Sequence, residues 1–328
     1  MNFAFTICAN NYLAHAKTLA VSFKKSHPHI KFCIAILDEP YKDIDYDTLG
    51  ADEIIWIPKL LPNLVHDLKD AYGIAELCTV VKPELFKHLY QAGYQTVVYI
   101  DPDIKVFSPF KEVFSGLETA DVILTPHICS PTGEVGHPLD KDLMRTGIYN
   151  LGFLAMNKTP ETIAFVNWWD KRVKAFGFHD LKNGFFYDQI WLGYAPAFLD
   201  KVFVLRHLGY NVANWNLHER KIIENQGEYF VNNEESPLRF FHYSHYKMEN
   251  EPFIASYNEN FNLENRKDIL PIFKDYKSSL EDAGYQQIKR IDYIYGKREV
   301  IKIPIKLSRI KRSGYLVKKA LRILLTGK

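Results

Sequence analysis

Two aspartates stand one residue apart at the end of an apolar run, in Thr96-Val97-Val98-Tyr99-Ile100-Asp101-Pro102-Asp103-Ile104-Lys105-Val106-Phe107. Paired carboxylates suit hard divalent cations. Mg²⁺ and Mn²⁺ take oxygen ligands and are commonly held by one or two carboxylates together with substrate phosphates. Asp and Pro are also ordinary turn residues, so the flanking sequence decides between the two readings. Val97, Val98, Tyr99 and Ile100 form a continuous apolar run, the pattern of a strand buried on both faces. Carboxylates directly after such a strand lie at its carboxyl end, where open α/β sheets bind ligands. Phosphate held through a metal in a mixed α/β chain points to a nucleotide.

The elements that must position these carboxylates can be read on either side of them. The length of 328 residues fits one large α/β domain with additions. Residues 3–8 read as a strand and Asn10 to Lys25 as a helix. Phe32 to Leu37 and Glu53 to Ile57 are further apolar runs. Leu64 to Ala75 and Val81 to Ala92 read as helices, with Pro83 near a helix start. Asp121 to Thr125 is another strand. Strands alternating with helices predict βαβ units and a mostly parallel sheet. Residues 126–147 are rich in Pro, Gly, Thr and Asp, as in a lid or binding loop. Ile148 to Met156 reads as a strand, Pro160 to Phe176 as a helix, and Phe185 to Phe198 as mainly helical. Leu238 to Phe241 reads as a short strand and Asn265 to Ala283 as a helix.

Composition narrows the function classes. The chain is 47% hydrophobic and 24% charged, so it can bury a sizeable core. No apolar run approaches the roughly 18–20 residues that span a bilayer. The first residues, Met1-Asn2-Phe3-Ala4-Phe5-Thr6-Ile7-Cys8, lack a basic n-region and a cleavable apolar segment. The four cysteines (Cys8, Cys33, Cys78, Cys129) form no CxxC pair, which argues against a zinc site or disulfides and fits a cytoplasmic protein. There is no Walker A and no GxGxxG sequence. The net charge of +2 conceals an asymmetry. Residues 297–328 hold eleven Lys/Arg and a single acid, Glu299, leaving a net −8 on the rest.

A set of motifs in fixed order resembles the GT-A-fold glycosyltransferases, and among them the family 8-like sugar transferases of bacteria. The first strand ends in Ala9-Asn10-Asn11-Tyr12. Lys82 follows Thr79 on the helix before the aspartate strand. Asp101-Pro102-Asp103 matches the DxD motif. Tyr149-Asn150-Leu151-Gly152-Phe153 matches a strand of the sugar pocket, Asp188-Gln189 a paired motif, and Phe241-His242-Tyr243 a late histidine. The likeness covers roughly residues 1–245.

The resemblance implies an α/β, GT-A-like fold with a mixed, mostly parallel sheet flanked by helices. It implies a transferase that moves a sugar from a nucleoside diphosphate donor to a glycan or glycolipid acceptor, with retention of configuration and Mn²⁺ or Mg²⁺ as cofactor. Asp101, Asp103 and His242 would hold the metal, Asp101 also reaching the ribose. Ala9, Asn10, Asn11, Tyr12, Thr79, Lys82 and Gly152 would line the nucleotide and sugar pocket, and Asp188, Gln189 and Asn150 the reacting face. Several residues keep a second reading. His242 could pack among Phe240, Phe241 and Tyr243, and His245 competes with it as a ligand. Lys82 could be a solvated helix lysine; where the family usually has Arg, it offers a point charge in place of a bidentate fork. Asp188 could cap a helix. Asn214, Trp215, Asn216 and His218 form a polar-aromatic segment suited to sugar rings and hydroxyls, and His127 is another pocket candidate.

The expected division is a catalytic domain over residues 1–264, a helical region over 265–296 and a basic tail over 297–328. Placed on a helix, Ile310, Val317, Leu321, Leu324 and Leu325 share one side of the tail, and Lys311, Lys318, Lys319 and Arg322 another. Such a basic amphipathic segment suits an anionic membrane surface, here the inner face of the cytoplasmic membrane, where lipopolysaccharide or other surface polysaccharide is assembled. No motif supports nucleic acid as a partner. The competing readings are a non-catalytic nucleotide-sugar or carbohydrate-binding protein and a nucleotidyltransferase or sugar-nucleotide hydrolase.

Overall fold

The continuous apolar runs become buried strands. The computed structural model describes residues 1–133, 140–258 and 260–296. Its strands are β1 (Asn2–Cys8), β2 (Lys31–Ile36), β3 (Glu53–Trp56), β4 (Thr96–Ile100), β5 (Ile104–Val106), β6 (Val122–Pro126), β7 (Tyr149–Asn157), β8 (His179–Asp180), β9 (Phe185–Phe186), β10 (Val202–Val204), β11 (Val212–Ala213), β12 (Ile222–Asn225), β13 (Glu228–Val231), β14 (Asn233–Pro237) and β15 (Phe240–His242). The helices are α1 (Leu13–Ser26), α2 (Ile57–Leu60), α3 (Pro62–Leu68), α4 (Ile74–Val80), α5 (Lys82–Gln91), α6 (Lys111–Gly116), α7 (Asp140–Thr146), α8 (Pro160–Phe176), α9 (Ala195–Phe198), α10 (Leu270–Asp282) and α11 (Tyr285–Ile288).

Seven strands form the main sheet in the order β10-β6-β7-β4-β1-β2-β3. Strand β1 pairs in parallel with β2 and β4, as do β2 with β3 and β6 with β10, while β7 runs antiparallel to β4 and β6. The sheet is mixed and mostly parallel, the α/β class expected. Alternate residues of β1 and β4 feed different layers. Phe3, Phe5, Val97 and Tyr99 pack with Leu77, Leu85, Phe86 and Trp169 of α4, α5 and α8. Ala4, Val98 and Ile100 pack with Leu13, Leu19 and Phe23 of α1. Helices on both faces explain why these strands carry no polar alternation.

A second, small sheet is what builds the site. Strand β5 follows the Asp101-Pro102-Asp103 turn directly and pairs antiparallel with β15, in a register that sets His242 opposite Ile104. Helix α10 then covers β15: its stripe Ile272, Phe273, Tyr276 and Leu280 joins Phe241 and Tyr243 in a third apolar cluster.

Several boundaries differ from the sequence reading. The helix expected over Leu64 to Ala75 ends at Leu68, and a separate helix, α4, starts at Ile74 behind an extended Gly73 cap, whose N–H donates to the Glu76 carboxylate at 2.8 Å. The segment Phe185 to Phe198 is mainly helical as expected, from Gln189 onward, but most of it is a 3₁₀ run over Gln189–Tyr194 that leads into the short α9, and β9 precedes it. The last long helix starts at Leu270, with Pro271 in its first turn. The loop expected over 126–147 contains α7. Strands β12, β13 and β14 form an antiparallel sheet that the sequence reading passed over.

Residues Met1–Gly296 make one compact unit. Beyond α11 the chain crosses to the carboxyl end of β2, where the Ile294 N–H donates to Asp38 Oδ1 at 3.0 Å and the Tyr295 hydroxyl to Glu39. The basic tail, with the helix expected in it, lies outside the described residues. Among those described, no helix is long and apolar enough to cross a membrane.

Candidate active site

The central strand β4 delivers Asp101 to the carboxyl end of the sheet, and the Asp101 N–H donates to the Gly152 carbonyl on β7 at 2.7 Å. The β5–β15 register brings His242 to the same point. Its Nε2 lies 3.1 Å from Asp103 Oδ1 and 3.7 Å from Asp101 Oδ2. One donor atom from each of Asp101, Asp103 and His242 falls within 4.8 Å of the others. Two carboxylate oxygens and one imidazole nitrogen are a donor set that Mn²⁺ or Mg²⁺ can use. The rest of the imidazole supports this. Among the described residues its buried Nδ1 has no partner, and a ring protonated there would leave Nε2 free to ligate. Gly152 makes room for the ring: a Cβ at that position would lie 2.5 Å from His242 Cε1.

The electrostatics of the three groups are linked. Burial works to lower the His242 pKa, but Asp103 and then Asp101 hold it above its usual value. Burial raises the Asp101 carboxyl, with Lys82 and His242 pulling against it. Burial also acts on Asp103, yet His242 keeps that carboxyl below the ordinary range. A cation is what such a cluster attracts.

The residues after β1 line one side of the cluster. The Tyr12 hydroxyl lies 3.5 Å from Asp103 Oδ2 and its ring stacks on His15 at 4.1 Å. His15 is held in turn by the Tyr276 hydroxyl at 2.7 Å. Ala9 is buried, and its carbonyl accepts the Tyr12 N–H. Asn11 is half-buried. Asn10 is buried and donates through its amide to the Glu39 carbonyl at 2.8 Å, while its backbone N–H reaches Asp38. The Tyr46 hydroxyl donates to Asn10 Oδ1 at 2.9 Å. Thr79 spends its hydroxyl on the Glu76 carbonyl, within its own helix.

The other side holds the remaining polar candidates. Lys82 is buried, not a solvated helix lysine. Its Nζ lies 2.6 Å from Asp188 Oδ2, donates to the Leu151 carbonyl at 3.2 Å and sits 4.0 Å above the Tyr99 ring. Asp188 is likewise buried; its side chain makes no helix-capping bond. Burial raises its carboxyl pKa, and Lys82 opposes the rise. Gln189 Oε1 accepts from the Leu151 N–H at 3.0 Å and from the Asn150 amide at 3.3 Å, while its own amide donates to the Thr146 carbonyl. Asn150 also donates to His127 Nε2 at 3.3 Å and accepts the Gly152 N–H at 3.1 Å. Burial keeps His127 neutral, with a pKa lowered to about 4.

The polar-aromatic segment divides. Trp215 sets its ring edge-on to His242 at 5.2 Å and to His127 at 5.3 Å. Asn214 donates to the Ser244 carbonyl. Among the described residues, the buried Trp215 Nε1 and Asn214 Oδ1 have no partner. Asn216 is wholly committed to backbone: Ala213 N–H, His127 carbonyl and Asn211 carbonyl. His218 is exposed and touches the Ser130 carbonyl. His245 is exposed, in a left-handed conformation with φ of 60°, and stands outside the Asp101–Asp103–His242 cluster.

Two further residues, one on the cluster and one against Asn10, are not among the predicted site residues. Tyr99 is buried in β4 and donates its hydroxyl to Asp101 Oδ1. Asp38, at the end of β2, is fully buried and receives the Asn10, Glu39 and Ile294 N–H groups. Tyr99 was hidden because it sits inside an apolar run; its one signal was the same-face spacing, two residues before Asp101.

No family model matches the chain. Two similar proteins are the uncharacterized proteins YfnD and YfnF of Bacillus subtilis (strain 168). They are 26% identical over 214 residues and 25% over 202, covering 63% and 60% of this chain. The matched stretch spans 65% of each relative, just under two-thirds of its length. Similar solved structures include the galactosyltransferase LgtC with donor and acceptor sugar analogs, at TM-score 0.45 and 14% identity over 86% of this chain and 96% of that one. The bifunctional glycosyltransferase WbbM matches at TM-score 0.49 and 13% identity, over 87% of this chain and 50% of that one. The glycosyltransferase GlyE of Streptococcus pneumoniae TIGR4 matches at 0.47 and 14%, over 91% and 66%. The chain's own topology is a mixed, mostly parallel sheet with helices on both faces.

Proposed function

We propose that this protein is a metal-dependent glycosyltransferase that moves a sugar from a nucleoside diphosphate donor to a glycan or glycolipid acceptor with retention. The observation that carries the reading is the Asp101–Asp103–His242 cluster at the carboxyl end of a central strand, facing a buried Asp188–Lys82 pair across Tyr99. Asp101, Asp103 and His242 would hold Mn²⁺ or Mg²⁺, which when bound neutralises the charge that grows on the diphosphate leaving group.

The chain's own groups supply the rest. Ala9, Asn10, Asn11 and Tyr12 form the wall beside the cluster where the nucleoside would lie. Asn150 and Gln189 bind each other and the β7 backbone, so they fix the sugar-side wall before any substrate arrives. Such preorganisation reduces the motion needed on the way to the transition state. Asp188 would be the carboxylate on the sugar side, with Lys82 as the countercharge beside it. Trp215 Nε1 and Asn214 Oδ1, unpartnered among the described residues, are a donor and an acceptor for sugar hydroxyls.

The basic tail would bring the enzyme to the inner face of the cytoplasmic membrane, where a lipid-linked acceptor of surface polysaccharide synthesis would be met. The reading is tested by a thermal-shift screen of nucleoside diphosphates and nucleotide sugars with Mn²⁺, Mg²⁺ or EDTA. A ligand that binds only the native state raises the melting temperature. The expected result is a metal-dependent rise with one nucleotide, and release of that nucleoside diphosphate when donor and acceptor are combined. Binding without turnover of any donor would make this a nucleotide-sugar-binding protein.

A further inference from the structure

The polar chain Asp188–Lys82–Tyr99–Asp101 joins the two sides of the site, and it has a direction. Tyr99 and Asp101 are two residues apart at the end of β4, so both side chains project from the same face of the sheet. The Tyr99 ring is clamped in the core, 5.2 Å from Phe5, and its hydroxyl donates to Asp101 Oδ1. That leaves Asp101 Oδ2 as the oxygen turned toward His242 Nε2. The Asp101 backbone is fixed too, through its N–H on the Gly152 carbonyl. Asp101 is therefore held at both ends before any cation arrives.

Lys82 backs this arrangement. It is the first residue of α5, a place where the helix macrodipole disfavours a cation. Helix stability does not account for a lysine there. What it gains is its surroundings: Asp188, the Leu151 carbonyl and the face of Tyr99. A cation over an aromatic face is attracted by the ring, and a nearby positive charge makes a phenol a stronger hydrogen-bond donor.

We propose that Tyr99, with Lys82 on its ring, is a positioning residue for Asp101: it ties one carboxylate oxygen and presents the other to the metal. The inference rests on the metal reading given above. Groups that orient metal ligands from behind typically alter metal affinity by 10–100-fold when removed. Tyr99→Phe removes the hydroxyl and keeps the ring under Lys82.

The test is Mn²⁺ binding to the full chain without nucleotide, read from the loss of the free-ion electron paramagnetic resonance signal. Tyr99→Phe should weaken Mn²⁺ binding by about 10–100-fold. Tyr90→Phe, which removes a buried hydroxyl donated to the Met156 carbonyl away from the site, should leave it unchanged. Wild-type affinity in Tyr99→Phe would overturn the positioning role while leaving the metal reading intact. Failure of the wild type itself to bind Mn²⁺ would remove the metal reading and this inference together. Should Tyr99→Phe lose its native circular dichroism, Lys82→Met takes its place: it keeps the hydroxyl but removes the charge behind it. A several-fold loss of affinity supports the proposal, and an unchanged affinity overturns it.

Discussion

Gly152→Ala separates the geometry of the candidate metal cluster from the stability of the fold. The added Cβ would lie 2.5 Å from His242 Cε1, 2.8 Å from His242 Nδ1 and 2.8 Å from Asn150 Oδ1. Carbon atoms rest at about 3.5–4.0 Å, so the imidazole must retreat by roughly 1 Å. Its backbone cannot follow, because β15 is fixed to β5 by the pairing of His242 with Ile104. The ring therefore has to tilt, and the Trp215 edge stands beside it. Overpacking of this kind costs about 1–3 kcal/mol, a fall of a few degrees in melting temperature. The functional effect should be larger. Ligand distances in a metal site hold to about 0.2 Å, so a shift of that size takes Nε2 out of the donor set. The metal-dependent thermal shift with the cognate nucleotide should require at least ~10-fold more Mn²⁺. Gly193→Ala is the control, since a Cβ there meets nothing within 4 Å. A Gly152→Ala protein that titrates with Mn²⁺ at the wild-type midpoint would refute the assignment of His242 to the metal.

Asp103→Ala should abolish metal-dependent nucleotide binding while leaving the circular dichroism spectrum native; unchanged affinity in Mn²⁺ would remove the aspartate pair from the site. Removal of residues 297–328 should reduce sedimentation with anionic liposomes in a salt-sensitive way, and equal binding by both forms would end the membrane role. Acid should destabilise the fold through buried neutral histidines. His27 accepts the Phe110 N–H at Nε2, and burial lowers its pKa from 6.5 to about 4. The unfolded chain takes up that proton first, so stability is lost as pH falls from about 6.5 toward 4. The melting temperature of His27→Gln should decline less steeply over that window, and parallel curves would show that His27 does not contribute.

Much of the fold was legible because burial on both faces leaves an unmistakable pattern. Strands β1, β2, β4 and β6 are mostly apolar, and their bounds lie within a residue or so of the expected ones. Helix ends were less legible: Lys69 to Gly73 separate α3 from α4 with no proline or turn motif to mark the break. The β12–β14 sheet was invisible because β14, Asn233-Glu234-Glu235-Ser236-Pro237, carries almost no apolar signal. At the site, Asp101 and Asp103 were legible from local spacing alone. The Lys82–Asp188 pair was not, since it joins the start of a helix to a distant 3₁₀ turn. Asn216 was misleading: an amide beside a tryptophan looks ready for a sugar, yet every bond it makes is to backbone.

The C-terminal part of the compact unit bears on how a working fragment could be cut. A fragment ending at residue 264 would strip α10 from β15 and lay open Phe241 and Tyr243, which pack on Phe273 and Tyr276. It would also take away the Tyr276 hydroxyl that seats His15 beneath Tyr12, and the Ile294 N–H that Asp38 accepts. Both losses fall on the wall that faces the Asp103 carboxylate or the carboxyl end of β2. A piece that keeps these contacts must reach Ile294, and the compact unit runs to Gly296, so an affinity tag replacing the basic segment belongs after that glycine.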